Sequence, residues 1–405
     1  MAVDVEDAVR SAVRSVDSGA LMALLAGRRP RVLALGEPTH GEDVLLDVRN
    51  ELFRGLVEHH GYRTIAVESD CLMGRIVDDY VVSGRGRLDE VVDRGFSHWF
   101  GPSDGNRELV RWMRSYNEGR PETEQVRFAG FDGPLEMESA ASPREALTAL
   151  YVFVVERIGV QSVPWSPEML DGLLGADEQW TEPAAMLDPT RSVGRTPQAE
   201  QLRLIADDLA AALDAHAPQL VASSSADEWE RARMYARSAS GLLRYHWWMA
   251  DESPGRIAQL LEVRASMMAG NVLAAAERGP VLLHAHNAHL QRARSQMRMG
   301  GAPLDWWSAG AIVEAKLGAD YAVFATALGT IRHHGVETPP PGSVEGLLYT
   351  LAEDRCVVDV RKLGELRSEV EIVPRVSPWF GYAPLDPAQL DDYEGLVFVK
   401  DMAAP

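Results

Sequence analysis

Only two cysteines, Cys71 and Cys356, occur in the 405 residues of the chain. Two thiols so far apart exclude a disulfide framework, and they exclude a cysteine-rich zinc or iron–sulfur centre. Lysine is almost missing too. Lys316, Lys362 and Lys400 are the only three among 40 basic residues, and the rest are arginine. Arginine codons are GC-rich, so this bias points to a high-GC genome more than to a mechanism. Basic residues are in any case outnumbered by 60 acidic ones, for a formal net charge of −20. Nucleic acid and anionic membranes both bind basic faces, so neither is expected as a partner. No apolar run approaches the ~18 residues that would span a bilayer. Met1 to Arg14 mixes charges with short apolar groups and does not read as a secretory leader. The expectation is a cytoplasmic protein. Internal repeats, low-complexity tracts and coiled-coil heptads are lacking as well, so the oligomeric state cannot be read.

What the chain does contain is ordinary globular material, 46% hydrophobic and 25% charged. Arg31-Val-Leu-Ala-Leu-Gly36 reads as a buried strand, because an apolar run this short is not a helix. Thr39 and the acidic pair Glu42-Asp43 suit a helix N-terminus, and Leu45, Val48, Leu52 and Leu56 follow at helical spacing until Gly61. Thr64-Ile-Ala-Val-Glu68 is a second strand, which completes a β-α-β unit and implies a parallel sheet. Further strands are expected at Gln125–Asp132, Pro280–His286 and Asp320–Leu328, with weaker ones at Cys356–Val360 and Leu396–Lys400. A helix fits Gly105–Glu118, and residues 140–278 are mostly helical, broken by a Pro/Gly/Trp-rich stretch from Val163 to Pro197. The pattern predicts one α/β domain over 1–405, with a mostly parallel central sheet flanked by helices and a largely helical insertion at 140–278.

In open parallel sheets, sites form beyond the C-terminal ends of the strands. Here those ends carry Glu37, Thr39 and His40, then Glu68, Ser69 and Asp70, then Asp132, and finally His284, His286, Asn287 and His289. Each residue alone has a structural reading, as a helix cap or a hydrogen-bonded core group. Their occurrence at corresponding strand ends points to a site. Arg264, Met268 and Asn271 recur at i, i+4, i+7 on an otherwise apolar helix, so Arg264 and Asn271 face inward. A buried arginine needs carboxylates, and Glu37 and Glu68 are natural candidates, as is an anionic intermediate.

Leu35-Gly-Glu-Pro-Thr-His-Gly41, Leu56-Val-Glu-His-His-Gly-Tyr62 and Ile65-Ala-Val-Glu68 together resemble the opening of the erythromycin esterase family. The likeness continues through Trp99, Leu109–Asn117, Val126–Asp132, Arg264–Asn271, His286-Asn-Ala-His289 and Gly318–Tyr321. The resemblance implies an α/β fold with a helical insertion and a metal-independent hydrolase cleft without cofactor. By the same resemblance His40 activates water, Glu37 and Glu68 support it, and His286, His289 and Arg264 complete the cleft. Trp99, Asn271, Asn287 and His284 are the candidate substrate contacts. The chain departs from the family pattern at Ala265, where an acidic residue is usual, at His284, where Trp is frequent, and over Glu42–Leu45. These departures bear on the substrate more than on the cleft.

The chemistry expected is hydrolysis of an ester or lactone in a small molecule, macrolide-like or another secondary metabolite. An imidazole with an unperturbed pKa near ~6.5 takes a proton from water at neutral pH. Two other readings use the same residues. One is a biosynthetic enzyme performing acyl transfer, lactone formation or elimination. The other is a metal-dependent hydrolase, with His284, His286, His289, His40 and Glu37 as the donors. The Gly101-Pro-Ser-Asp-Gly105 match to a nucleophile elbow lacks an apolar strand before it and reads as a loop. Neither cysteine has a nucleophile context, although Cys71 is close enough to Glu68 to line the cleft.

Overall fold

A computed structural model of the protein describes residues 5–136, 139–299, 302–366 and 371–402. Ten strands are found: β1 (Val13–Arg14), β2 (Val32–Glu37), β3 (Thr64–Asp70), β4 (Arg127–Asp132), β5 (Val281–His286), β6 (Arg294–Met299), β7 (Ala302–Trp307), β8 (Tyr321–Thr330), β9 (Arg355–Val358) and β10 (Gly395–Asp401). Eight of them form one sheet in the order β1-β9-β10-β8-β2-β5-β3-β4, and β6 and β7 pair as a separate hairpin. From β10 to β4 every pairing is parallel, and β9 runs against its neighbours. This is an α/β fold with a mostly parallel sheet and helices on both faces.

Alternation along the strands explains the two faces. Leu33 and Leu35 of β2 belong to one core with Leu45, Val48, Leu52 and Leu56 of the helix Asp43–His60. Val32 and Ala34 belong to the opposite core with Met268, Ala269, Val272 and Ala276 of the helix Arg256–Glu277. Period 2 in the strand meets a period near 3.6 in each helix, so one short sequence feeds two cores. Between β4 and β5 the described chain is helical, and the helices Arg144–Ile158, Pro197–Ala215 and Ala226–Met249 share a third apolar core of their own.

The strands read from the sequence are all present, with the weaker pair as β9 and β10. The two-residue β1 and the β6–β7 hairpin were not legible. Among the described residues no helix is long and apolar enough to cross a membrane.

Candidate active site

Parallel register sets the site. Glu37 pairs with His286 across β2 and β5, and Val67 pairs with His284 across β3 and β5. The C-terminal ends of β2, β5, β3 and β4 therefore lie side by side. Gly36 allows this closeness, because a Cβ there would lie 2.1 Å from the Asn287 side chain. After β2 the chain turns at Gly41, whose φ of +86° is a left-handed value that suits glycine. That turn lifts His40 over the strand ends.

The side chains form one continuous run of carboxylates alternating with histidines and an arginine. His284 Nε2 lies 3.2 Å from Glu37 Oε2, and Glu37 Oε1 lies 2.7 Å from His40 Nδ1. The outer nitrogen of His40, Nε2, faces Glu68 Oε2 at 3.8 Å. Glu68 also accepts from the His286 backbone N–H at 2.9 Å, and its Oε1 is 3.1 Å from His289 Nε2. Arg264 Nη2 then donates to Glu68 at 3.0 Å and to Asp132 at 2.6 Å, while its Nε donates to both Asp132 oxygens. His98 closes the run, 3.0 Å from Asp132 and 2.9 Å from Glu136. A cleft beside Glu37 and Glu68 is walled by Leu46, Phe96, Trp99 and Phe100, and the Phe100 ring sits 5.1 Å from that of His40.

Electrostatics divide these groups. Burial alone would raise the Glu37 carboxyl, but the charges and hydrogen bonds of His284 and His40 outweigh it and hold Glu37 far below the usual range. Glu68 is held low in the same way, by His289, His40 and Arg264 against its burial. Burial would lower His40, yet Glu68 and Glu37 together push it up to about 9. His286 goes the other way. Burial, with the nearby His40 and His289, takes it down to about 4, and it stays neutral. Its Nδ1 accepts from the Ala288 N–H and its Nε2 donates to the Pro38 carbonyl, so neither nitrogen is free to serve as a base. Behind Glu37 lies Arg49, fully buried, which hydrogen-bonds Asn50; burial takes it down to about 10, partly offset by Glu37.

Three expectations are corrected. An ordinary pKa for His40 does not hold, because two flanking carboxylates make the imidazolium its resting form at neutral pH. Arg264 pairs with Glu68 and Asp132 and not with Glu37, because its helix lies over the β4 end, where Asn271 donates to the Phe131 carbonyl. Cys71 does not line the cleft. It faces Ser238 at 3.4 Å, and burial pushes its thiol up to about 12.

The expected substrate contacts also separate. Trp99 stands at the cleft wall, 93% exposed. His284 is buried beneath Glu37, its other nitrogen held by the Leu35 carbonyl. Asn271 is apart from the cluster, with its amide spent on Phe131 and on Arg237. Asn287 brackets β5 to β8, accepting from the Thr326 N–H at 3.1 Å and donating to the Thr326 carbonyl at 2.9 Å. Ser103 of the elbow-like match caps the helix Asp104–Asn117 and donates to Asp43, as a loop residue would.

Asp132 and His98 join the cluster without having been singled out as site residues. Asp132 was visible as an acid at a strand end. His98 follows no strand, so no topological rule aimed it. Its φ of +57°, with +61° at Trp99, is a conformation that no sequence pattern announces. The donor set proposed for a metal in the cleft does not converge. Among the described residues, the one group of three donors with all ligand atoms within 4.8 Å is Glu42, His333 and His334.

A sequence profile of the family described as erythromycin esterase matches residues 57–402. Erythromycin esterase type II of Escherichia coli is 32% identical over 104 residues, which are 26% of this chain. The match spans 24% of that relative's length. Three solved structures share the fold. A Bacillus cereus protein superposes with a TM-score of 0.74 at 16% identity, over 99% of this chain and 98% of that one. A succinoglycan biosynthesis protein gives 0.68 at 15%, over 99% and 97%. An erythromycin esterase mutant in its open conformation gives 0.66 at 21%, over 96% and 93%.

Proposed function

The chain belongs to the erythromycin esterase family, and on that premise we propose that it hydrolyses an ester or lactone bond in a small molecule through water activated by His40. One observation carries the reading. His40 is bound at one nitrogen by a carboxylate and holds the other 3.8 Å from Glu68, with 36% of its side chain exposed, while those of His284 and His289 are 5% and 12% exposed.

Glu37 accepts from Nδ1–H of His40, which leaves Nε2 to take a proton once the ring is neutral. Water adds to the carbonyl carbon as its proton passes to Nε2, and the carbonyl electrons collect on oxygen. Arg264 spends Nε and Nη2 on Asp132 and Glu68; Nη1, with no hydrogen bond among the described residues, is the donor for that oxyanion. Collapse expels the alkoxide, which regains a proton from His40, giving acid and alcohol. The same carboxylates that hold the imidazolium also raise the resting pKa, so the rate climbs with pH towards about 9. A net charge of −20 favours a neutral or cationic substrate, such as a macrolide-like lactone.

The test is a panel of macrolide lactones and aryl esters incubated in 18O-labelled water. One label in the new carboxyl group, lost with His40→Ala, is the expected result. Unlabelled transfer to an added alcohol would replace hydrolysis with acyl transfer, and unchanged turnover in the variant would remove His40 from the reaction.

A further inference from the structure

We propose that Glu42, His333 and His334 form a binding site for a divalent transition metal, best fitted to zinc, that ties the loop after β2 to the tail of β8. The site is independent of the hydrolysis reading, since none of the three takes part in it.

Their ligand atoms lie within 4.8 Å of one another, and His333 Nε2 is already 3.0 Å from Glu42 Oε1. Tetrahedral zinc with bonds of ~2.0–2.1 Å spaces its donors roughly 3.4 Å apart, so only a small contraction is needed. Two imidazoles and one carboxylate suit zinc, cobalt or nickel, and the nitrogen content disfavours calcium and magnesium. A fourth position stays open for water.

The donors are held before any ion arrives. The histidines ride a tight turn closed by the Ile331–Val336 bridge, with Gly335 in the left-handed conformation at its end. The His334 ring stacks on Trp379 at 3.8 Å and 13°. Glu42 is buried, and although it occupies the N-cap position of the helix Asp43–His60, its side chain makes no capping bond. Glutamate is not among the side chains that usually cap a helix, and this one is turned to His333.

The experiment uses the full chain, free of any histidine tag and stripped of metal, dialysed against zinc and then against cobalt. One zinc per chain, a higher melting temperature and the visible bands of four-coordinate cobalt are expected. Glu42→Gln should weaken zinc binding by about 10- to 100-fold, the range seen even for residues that only orient ligands. The pair His333→Ala/His334→Ala should abolish it, with the circular dichroism spectrum retained. His59 and His60, adjacent on the surface, supply the control, and His59→Ala/His60→Ala should bind as wild type. Failure of the wild-type chain to retain zinc would overturn the proposal. So would zinc binding that survives His333→Ala/His334→Ala, or Glu42→Gln binding as tightly as wild type.

Discussion

On the β2 side of the cleft, the run His284–Glu37–His40 ends on an imidazole that is 36% exposed, with its outer nitrogen opposite Glu68. On the β3–β4 side, Glu68–Arg264–Asp132–His98 closes upon itself, with Asp132 completely buried and Arg264 donating four hydrogen bonds. Both flanks are carboxylates alternating with histidines or an arginine. The difference lies in what is left unspent. The first flank keeps an imidazole within reach of solvent, while the second gives up nearly all its donors to hold two buried acids in place. On the proposed reading the base thus sits on one bank and most of the rigidity on the other, with Glu68 shared between them and Arg264 Nη1 left for the oxyanion.

The sharpest way to break this comparison is to remove one group from each bank. His40→Ala should lower kcat/KM by ~10²–10⁴-fold with little loss of melting temperature, because Glu37 keeps His284 and Glu68 keeps Arg264. Arg264→Met should lower stability first and turnover with it, since its Nη1 is the proposed oxyanion donor. It takes from Asp132 and Glu68 the cation they share, leaving them to His98 and His289, at a cost of up to about 3–5 kcal/mol, read by thermal or urea unfolding. If His40→Ala unfolds the protein more readily than Arg264→Met, the two banks have been assigned the wrong way round.

A pH series sharpens the same contrast. His40 has a raised folded pKa, so its charge contributes stability that is fully present below ~6.5 and lost as pH rises through about 9. Glu37, Glu68 and Asp132 are lowered, so their contribution is present above the ordinary carboxylate range and is lost on acidification. The kcat/KM profile should rise towards about 9, and Glu37→Gln should move that limb down towards the ordinary imidazole range. A limb that stays in place would detach Glu37 from His40.

Smaller effects follow at the margins. Asn287→Ala leaves the Thr326 amide and carbonyl unsatisfied and should cost about 1–3 kcal/mol in unfolding free energy. Trp99→Ala, at an exposed position, should stay within about 0.5 kcal/mol of wild-type stability and act on KM alone. A stability loss matching that of Asn287→Ala would make Trp99 structural.

Most of the sheet was legible because short apolar runs closed by glycine or acids admit few readings. The strand-end rule then placed Glu37, Glu68 and His286 together without knowledge of strand order. Strand order was what remained hidden. With β5 lying between β2 and β3, Glu37 is remote from the helix that carries Arg264, and inward facing alone does not choose among acids. His98 was hidden for another reason. It reaches Asp132 from an irregular loop, where periodicity carries no information. Asn271 and Asn287 show the converse: family-like residues in the expected places whose amides are spent on the backbone and, for Asn271, on Arg237 as well.

Gly36 and Asn287 carry a last consequence, in the behaviour of substitutions rather than of atoms. With the space for a Cβ at position 36 already taken by the Asn287 amide, neither residue can vary on its own terms. Gly36→Ala should be tolerated only where position 287 has shrunk, and the paired change should cost less than the sum of the single ones. In any lineage descending from this chain the two positions form one locus. Drift at a glycine on β2 would thus be felt first in the strand that delivers His286.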